Sequence, residues 1–183
     1  IFLIIFILDF FTSGSFIKYE PKTDPKAPET FGFSAGKFDK STEAYVGIGF
    51  VKNSALPKDA QRNKATGLKN DEPNCPGRID INNPGIYLEA NQVEYFDTEK
   101  VFYLTSHPNL EWIKYSAGAA FPINAVRTQN SAFFYHIGRS ADSKEKFTNV
   151  GKIMNINGGF VMQMMANGKY SETKQFEVLV CKD

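Results

Sequence analysis

From residue 44 onward, apolar and polar positions alternate in short runs, and residues that turn the chain separate one run from the next. The runs cover 44–51, 86–90, 101–105, 133–137, 160–165 and 175–180, each rich in Val, Ile, Phe, Tyr or Met. A period of two over four to eight residues is that of a half-buried strand. Asn83-Pro84-Gly85, Asn157-Gly158-Gly159 and Asn167-Gly168 supply turns, because Gly and Asn accept the left-handed backbone of tight hairpins. No window sustains a helical period. Residues 54–69 come nearest and are broken by Pro57 and Gly67. The pattern predicts an all-β protein.

The runs also repeat. Tyr45-Val46-Gly47 aligns with His136-Ile137-Gly138, Gly77-Arg78-Ile79 with Gly151-Lys152-Ile153, Gly85-Ile86-Tyr87-Leu88 with Gly159-Phe160-Val161-Met162, and Val101-Phe102-Tyr103-Leu104 with Phe176-Glu177-Val178-Leu179. Residues 31–106 and 107–183 read as two tandem copies of one unit. A unit of this size cannot hide its apolar face alone, so the copies are expected to pack about a pseudo-twofold axis as antiparallel β subdomains with equivalent clefts. Duplicated clefts suit binding better than catalysis. The first copy is longer, and its excess falls in 53–75, rich in Lys, Asn, Asp and Pro. A surface loop of this length is either functional or without fixed structure.

Ahead of these copies stand two segments of different character. Residues 1–8 are wholly apolar and lead into the small residues Thr12, Ser13, Gly14 and Ser15. The stretch is shorter than the ~20 residues of a membrane span and reads as a signal-peptide core with cleavage near Ser15 or Phe16. Residues 1–15 are thus expected to be a leader, entered partway because no Met or basic start precedes them, and the protein to be secreted. Residues 16–30, with Pro21, Pro25 and Pro28 among charged residues, read as a linker.

Composition narrows the choice of partner. Lys and Arg exceed Asp and Glu by one in 183 residues, which gives no general attraction to nucleic acid or to an anionic membrane. No other stretch is apolar enough to span a bilayer. The two cysteines, Cys75 and Cys181, exclude a disulfide scaffold and leave two readings open. One is a single bridge worth about 4 to 5 kcal/mol in the chain-entropy model; the other is a pair of free thiols. No Asn is followed two places later by Ser or Thr.

Catalytic patterns are missing from the sequence. It has no His-Glu-x-x-His, Cys-x-x-Cys, phosphate-cradling glycine loop or Gly-x-Ser-x-Gly elbow, so neither an enzyme nor a cofactor is expected. His107 and His136 read as ordinary residues. Met154, Met162, Met164 and Met165 read as core, with an adaptable apolar pocket as the alternative, and Trp112 as a hub between copies or a sugar-stacking ring. Arg78 and Lys152 are more informative, because a cation follows the second marker glycine in both copies. Each suggests a donor held over a cleft, with nearby carboxylates completing a hydroxyl-binding set; a solvated surface charge is the other reading. Asp39 and Glu72 are the candidate acceptors in the first copy, Asp142 and Glu145 in the second.

These residues resemble a known family. Gly118, Pro122-Ile123-Asn124-Ala125-Val126, Ile137-Gly138-Arg139, Val150-Gly151-Lys152-Ile153 and Phe176-Glu177-Val178-Leu179 look like a DM-nine repeat. The first copy is similar through Ala35-Gly36, Tyr45-Val46-Gly47, Pro76-Gly77-Arg78-Ile79 and Val101-Phe102-Tyr103-Leu104. The resemblance implies two tandem β repeats and a secreted lectin that recognises mannose-type glycans on microbial surfaces in innate immunity, often as a dimer, so a homodimer is open here. It places ligand-binding roles on Asp39, Glu72 and Arg78 in the first copy and on Lys152 in the second. Arg78 stands where the family has Lys, Ile48 where Arg139 keeps the Arg, and His136 where the family has Tyr. Such departures leave an alternative, a secreted interaction protein of the same fold that has lost sugar binding.

Overall fold

The computed structural model describes residues 15–37, 42–61, 71–129, 134–140, 148–166 and 168–182. It is all-β, with two antiparallel sheets of seven and six strands. The first contains β1 (Phe16–Tyr19), β2 (Ser34–Lys37), β3 (Glu43–Val51), β4 (Glu72–Asp80), β5 (Gly85–Ala90), β6 (Val93–Asp97) and β7 (Val101–Leu104). The second contains β8 (Leu110–Ser116), β9 (His136–Ser140), β10 (Val150–Ile156), β11 (Gly159–Ala166), β12 (Lys169–Thr173) and β13 (Gln175–Cys181). The first runs in the order β1-β7-β3-β4-β5-β6, with β2 attached to β3; the second runs β8-β13-β9-β10-β11-β12. The two orders match strand for strand.

Register matches as well. Gly47 lies opposite Gly77 and Gly138 opposite Gly151. Gly77 and Gly151 are needed for close approach, since a Cβ there would stand 2.2 Å from the carbonyl oxygen of Tyr87 or Gln163 on the neighbouring strand. The match breaks at the following hairpin. In the first sheet Asp80 pairs with Gly85 around a four-residue turn, whereas in the second Ile156 pairs with Gly159 around Asn157-Gly158. Asn157 and Gly158 have φ of 52° and 82°, the left-handed pair of a tight two-residue turn. Ile79 therefore pairs with Ile86, but Ile153 pairs with Met162. The alignment of Gly85 with Gly159 is two residues out of register, because a shorter hairpin with a wider turn has the same glycine spacing as a longer one with a tight turn.

The expected linker at residues 16–30 is also corrected. Phe16-Ile17-Lys18-Tyr19 forms β1 on β7, just as Trp112-Ile113-Lys114-Tyr115 of β8 lies on β13. Tyr19 is completely buried and its hydroxyl donates to the carbonyl of Pro25 at 2.7 Å. A short helix α1 (Ala27–Phe31) follows with a proline in its first turn, a place where the missing N–H costs nothing. The prolines thus shape a tight return instead of a free tether.

Three apolar clusters hold the sheets. The first joins Tyr19, Tyr45, Ile79, Ile86 and Leu88 with Leu56 and Ala60, which come from the inserted segment. The third gathers Tyr115, Ile153, Met162, Met164 and Phe176. Between them, Val46 and Leu104 of one sheet meet Ile137, Val150 and Leu179 of the other. Tyr45 and Val46 enter different clusters because neighbouring strand residues face opposite sides. Cys75 belongs to the first cluster and Cys181 to the middle one; both are free, so the bridge left open by the sequence does not form. Of the methionines, Met162, Met164 and Met165 are core residues. Trp112 packs 6.0 Å from the ring of Phe33 and donates its indole N–H to the carbonyl of Ser34 at 3.3 Å, a contact across the sheets.

Gly77→Ala and Gly151→Ala are each expected to lower unfolding free energy by about 1 to 3 kcal/mol, the cost of forcing atoms into a filled site. Urea titration of each variant against the parent measures it, and an unchanged midpoint refutes the close approach.

Candidate functional site

β10 lies against β4, β11 against β5 and β12 against β6. Ile153 points into the third cluster, so its neighbour Lys152 leaves the opposite face of β10 and crosses to the first sheet. Its Nζ stands 2.9 Å from Glu72 Oε2 on β4 and 2.9 Å from Glu89 Oε2 on β5. The exposures of Lys152, Glu72 and Glu89 are 3%, 7% and 3%, which makes this an ion cluster inside the protein. The Tyr135 hydroxyl donates to Glu72 Oε2 at 3.5 Å, and its ring centroid lies 5.4 Å from Lys152 Nζ.

Glu89 is held at both ends. Its Oε1 accepts the backbone N–H of Gln92 at 2.7 Å, while Oε2 faces Lys152. Gln92 has φ of 72° and Asn91 of 51°, so the β5–β6 turn puts a long side chain in a region that favours glycine, a local strain of order 1 to 3 kcal/mol. The Asn91 side chain ties the turn to the carbonyl of Ala60 at 3.0 Å.

Burial shifts the protonation equilibria here. Desolvation pulls the Lys152 pKa down, but the opposing charges more than offset it and hold the ammonium well above the ordinary lysine value. Burial pushes the Cys75 thiol and the Tyr135 phenol upward, so both stay neutral and the carboxylates Glu89 and Glu72 are the groups that keep Lys152 charged.

Above the ion cluster a cleft of about 380 Å³ opens between the sheets. Glu89 and Asn91 border it from the first sheet, and Tyr135, Lys152, Gln163 and Tyr170 from the second. On its outer wall Glu172 accepts from the Gln163 amide at 2.9 Å and from the Tyr170 hydroxyl. A neighbouring hollow of about 370 Å³ is lined by Phe134, His136, Ile153 and Phe160 and shares Tyr135, Met154 and Asn155 with the cleft. Burial lowers the His136 pKa, keeping that imidazole neutral. The cleft offers amides, carboxylates and phenols over a rigid base, the equipment for binding a polar ligand of several hydroxyls. Among the described residues, no three His, Cys, Asp or Glu side chains gather to hold a metal ion, and no helix is long and apolar enough to cross a membrane.

The residues singled out in the sequence separate into three groups. Lys152 and Glu72 come together, so Glu72 is a partner of the second sheet's cation instead of Arg78. Arg78 lies apart, 8% exposed, with its guanidinium 4.4 Å from the Tyr87 ring centroid and 3.9 Å from Glu94. Phe96 packs 4.7 Å from Tyr87 and puts an aromatic pair where the second sheet has Gln163 and Glu172. Asp39, Asp142 and Glu145 lie outside the described residues. Glu89 went unnoticed, although a carboxylate inside the apolar run 86–90, opposite in parity to Ile86 and Leu88, was a readable sign of a buried partner.

Compared with known proteins, the chain matches no family model, and no curated protein matches its sequence.

Removing Lys152 leaves two buried carboxylates uncompensated. Lys152→Met should cost about 3 to 5 kcal/mol, and adding Glu72→Gln and Glu89→Gln should recover part of that loss in denaturant titrations. A lysine whose pKa rises on folding stabilises fully below its unfolded value of about 10.4 and loses that contribution as pH climbs through the folded value. Parent stability should therefore fall above about pH 10.4, and more steeply than that of Lys152→Met; parallel curves dismiss the ion cluster as a source of stability.

Proposed function

We propose that this chain is a secreted, non-catalytic carbohydrate-binding protein of the DM-nine kind, built from two copies of one β unit about a pseudo-twofold axis, and that it takes mannose-type glycans of microbial surfaces in the cleft above Lys152. The observation that carries the reading is the cleft itself: a polar, amide-rich hollow between two sheets of matching strand order, floored by a buried cation already locked to two carboxylates. A floor fixed before binding saves the ligand the cost of ordering it. The matching orders and registers support the two-copy reading, and the apolar start of the sequence supports secretion.

In this reading the contact roles shift outward. Lys152 and Glu72 act as the fixed floor, while Asn91, Gln163 and Tyr170 supply hydroxyl contacts at the rim. Asp39 remains the candidate acid of the first copy. Arg78, under Tyr87 and beside Glu94, has no equivalent polar wall, so the two copies are unequal sites.

A second reading has its own support. Arg78 and Lys152, the cations that the family resemblance makes ligand contacts, are both buried and paired, which fits an interaction protein that has kept the fold and lost the sugar. It predicts a blank glycan array together with a protein captured in pull-down.

Immobilised mannan decides between them. The parent protein should be retained, and Asn91→Ala or Gln163→Ala should each weaken retention about two- to tenfold, the worth of one hydrogen bond. Lys114→Ala, on the exposed part of β8, serves as the control. Asp39→Ala tests the first copy without disturbing the ion cluster. A parent that flows through excludes the lectin reading, and equal retention of all variants moves the site out of the cleft.

A further inference from the structure

The cleft is electrically one-sided. Among the described residues that line it, one cation, Lys152, stands against the carboxylates Glu89 and Glu172, and that cation is already shared between Glu89 and Glu72 beneath the cleft. Arg78, the other buried cation among the sequence candidates, does not border the cleft.

The phenolic hydrogens are committed to carboxylates, Tyr135 to Glu72 and Tyr170 to Glu172. Glu89 is buried and borders the cleft, and its Oε2 stands 2.9 Å from the Lys152 ammonium, so that cation is already spent on the carboxylates beneath the cleft. Glu172 on the outer wall then has no described cation of the lining to itself, and this excess of negative charge favours a ligand that brings positive charge. An anion entering the same space is repelled by Glu89 at its buried base and by Glu172 on its exposed wall.

We propose that the cleft selects its ligand by charge, binding sugars that carry a protonated amine more tightly than neutral ones and excluding sugars that carry a carboxylate. The proposal rests on the carbohydrate reading above and narrows it to hexosamine-containing glycans. The ammonium sits between Glu89 and Glu172, with the ring hydroxyls on Asn91 and Gln163.

Calorimetric titration of the intact protein with methyl α-mannoside, mannosamine and mannuronate tests it, at about pH 6 where an amine of ordinary basicity is protonated. Mannosamine should bind about tenfold more tightly than the neutral glycoside, and mannuronate should give no measurable heat. Glu172→Gln, a change at an exposed position, should shrink the amine-to-neutral ratio at least about threefold whatever its absolute affinities. Binding of mannosamine alone supports charge selection while removing the mannose reading. Equal affinities for the amine and the neutral sugar, or binding of mannuronate, overturn charge selection and leave the carbohydrate reading standing. Three silent titrations overturn both.

Discussion

One lysine inside the protein, shared by two glutamates from the opposite sheet, organises the rest of the structure. Taking three charges out of water costs several kcal/mol per ion, and only close geometry with further hydrogen bonds offsets it. Both conditions are met at Lys152: each carboxylate oxygen is 2.9 Å away, and Glu89 is steadied by the backbone of Gln92. The cost is met only when the sheets are docked. Each sheet folded alone would present unpaired charge at its own surface, so the cluster couples the folding of one sheet to the arrival of the other.

Apolar packing supplies the attraction and the ion cluster sets the alignment. The middle cluster of Val46, Leu104, Ile137, Val150 and Leu179 tolerates small slides, because dispersion contacts are not directional. Lys152 between two acids does not, and neither does Arg139, which donates to the carbonyl of Ala35 at 2.9 Å and lies 4.7 Å from the Trp112 ring centroid. These polar ties join residues of one sheet to residues of the other and make their alignment specific.

Much of the architecture was readable from residue pattern, and its failures have physical causes. Alternation located β3, β5, β7, β11 and β13 but not the central strands β4 and β10, where only the glycines Gly77 and Gly151 stood out, as cross-strand partners of Gly47 and Gly138. The edge strand at Phe16–Tyr19 was missed because Pro21, Pro25 and Pro28 dominate local composition, while its likeness to residues 112–115 is too short to stand out alone. At the site, Lys152 and Glu72 were each found, but their pairing was not, since contact between sheets depends on docking and leaves no periodic trace. Glu89 is legible as a carboxylate inside an apolar run, but the run does not say which cation it meets.

The unequal hairpins have a wider meaning. Two additional rungs, Asn155 with Phe160 and Ile156 with Gly159, lengthen one arm of the second sheet, and Met154, Asn155 and Ile156 of that arm border the cleft. In the first sheet the arm stops at Asp80 and Gly85. Strand order is the same with or without the extension. Arm length is therefore a variable that can differ between two sheets of like strand order, and here the longer arm of the second sheet supplies one wall of a cleft that the first sheet closes from the other side.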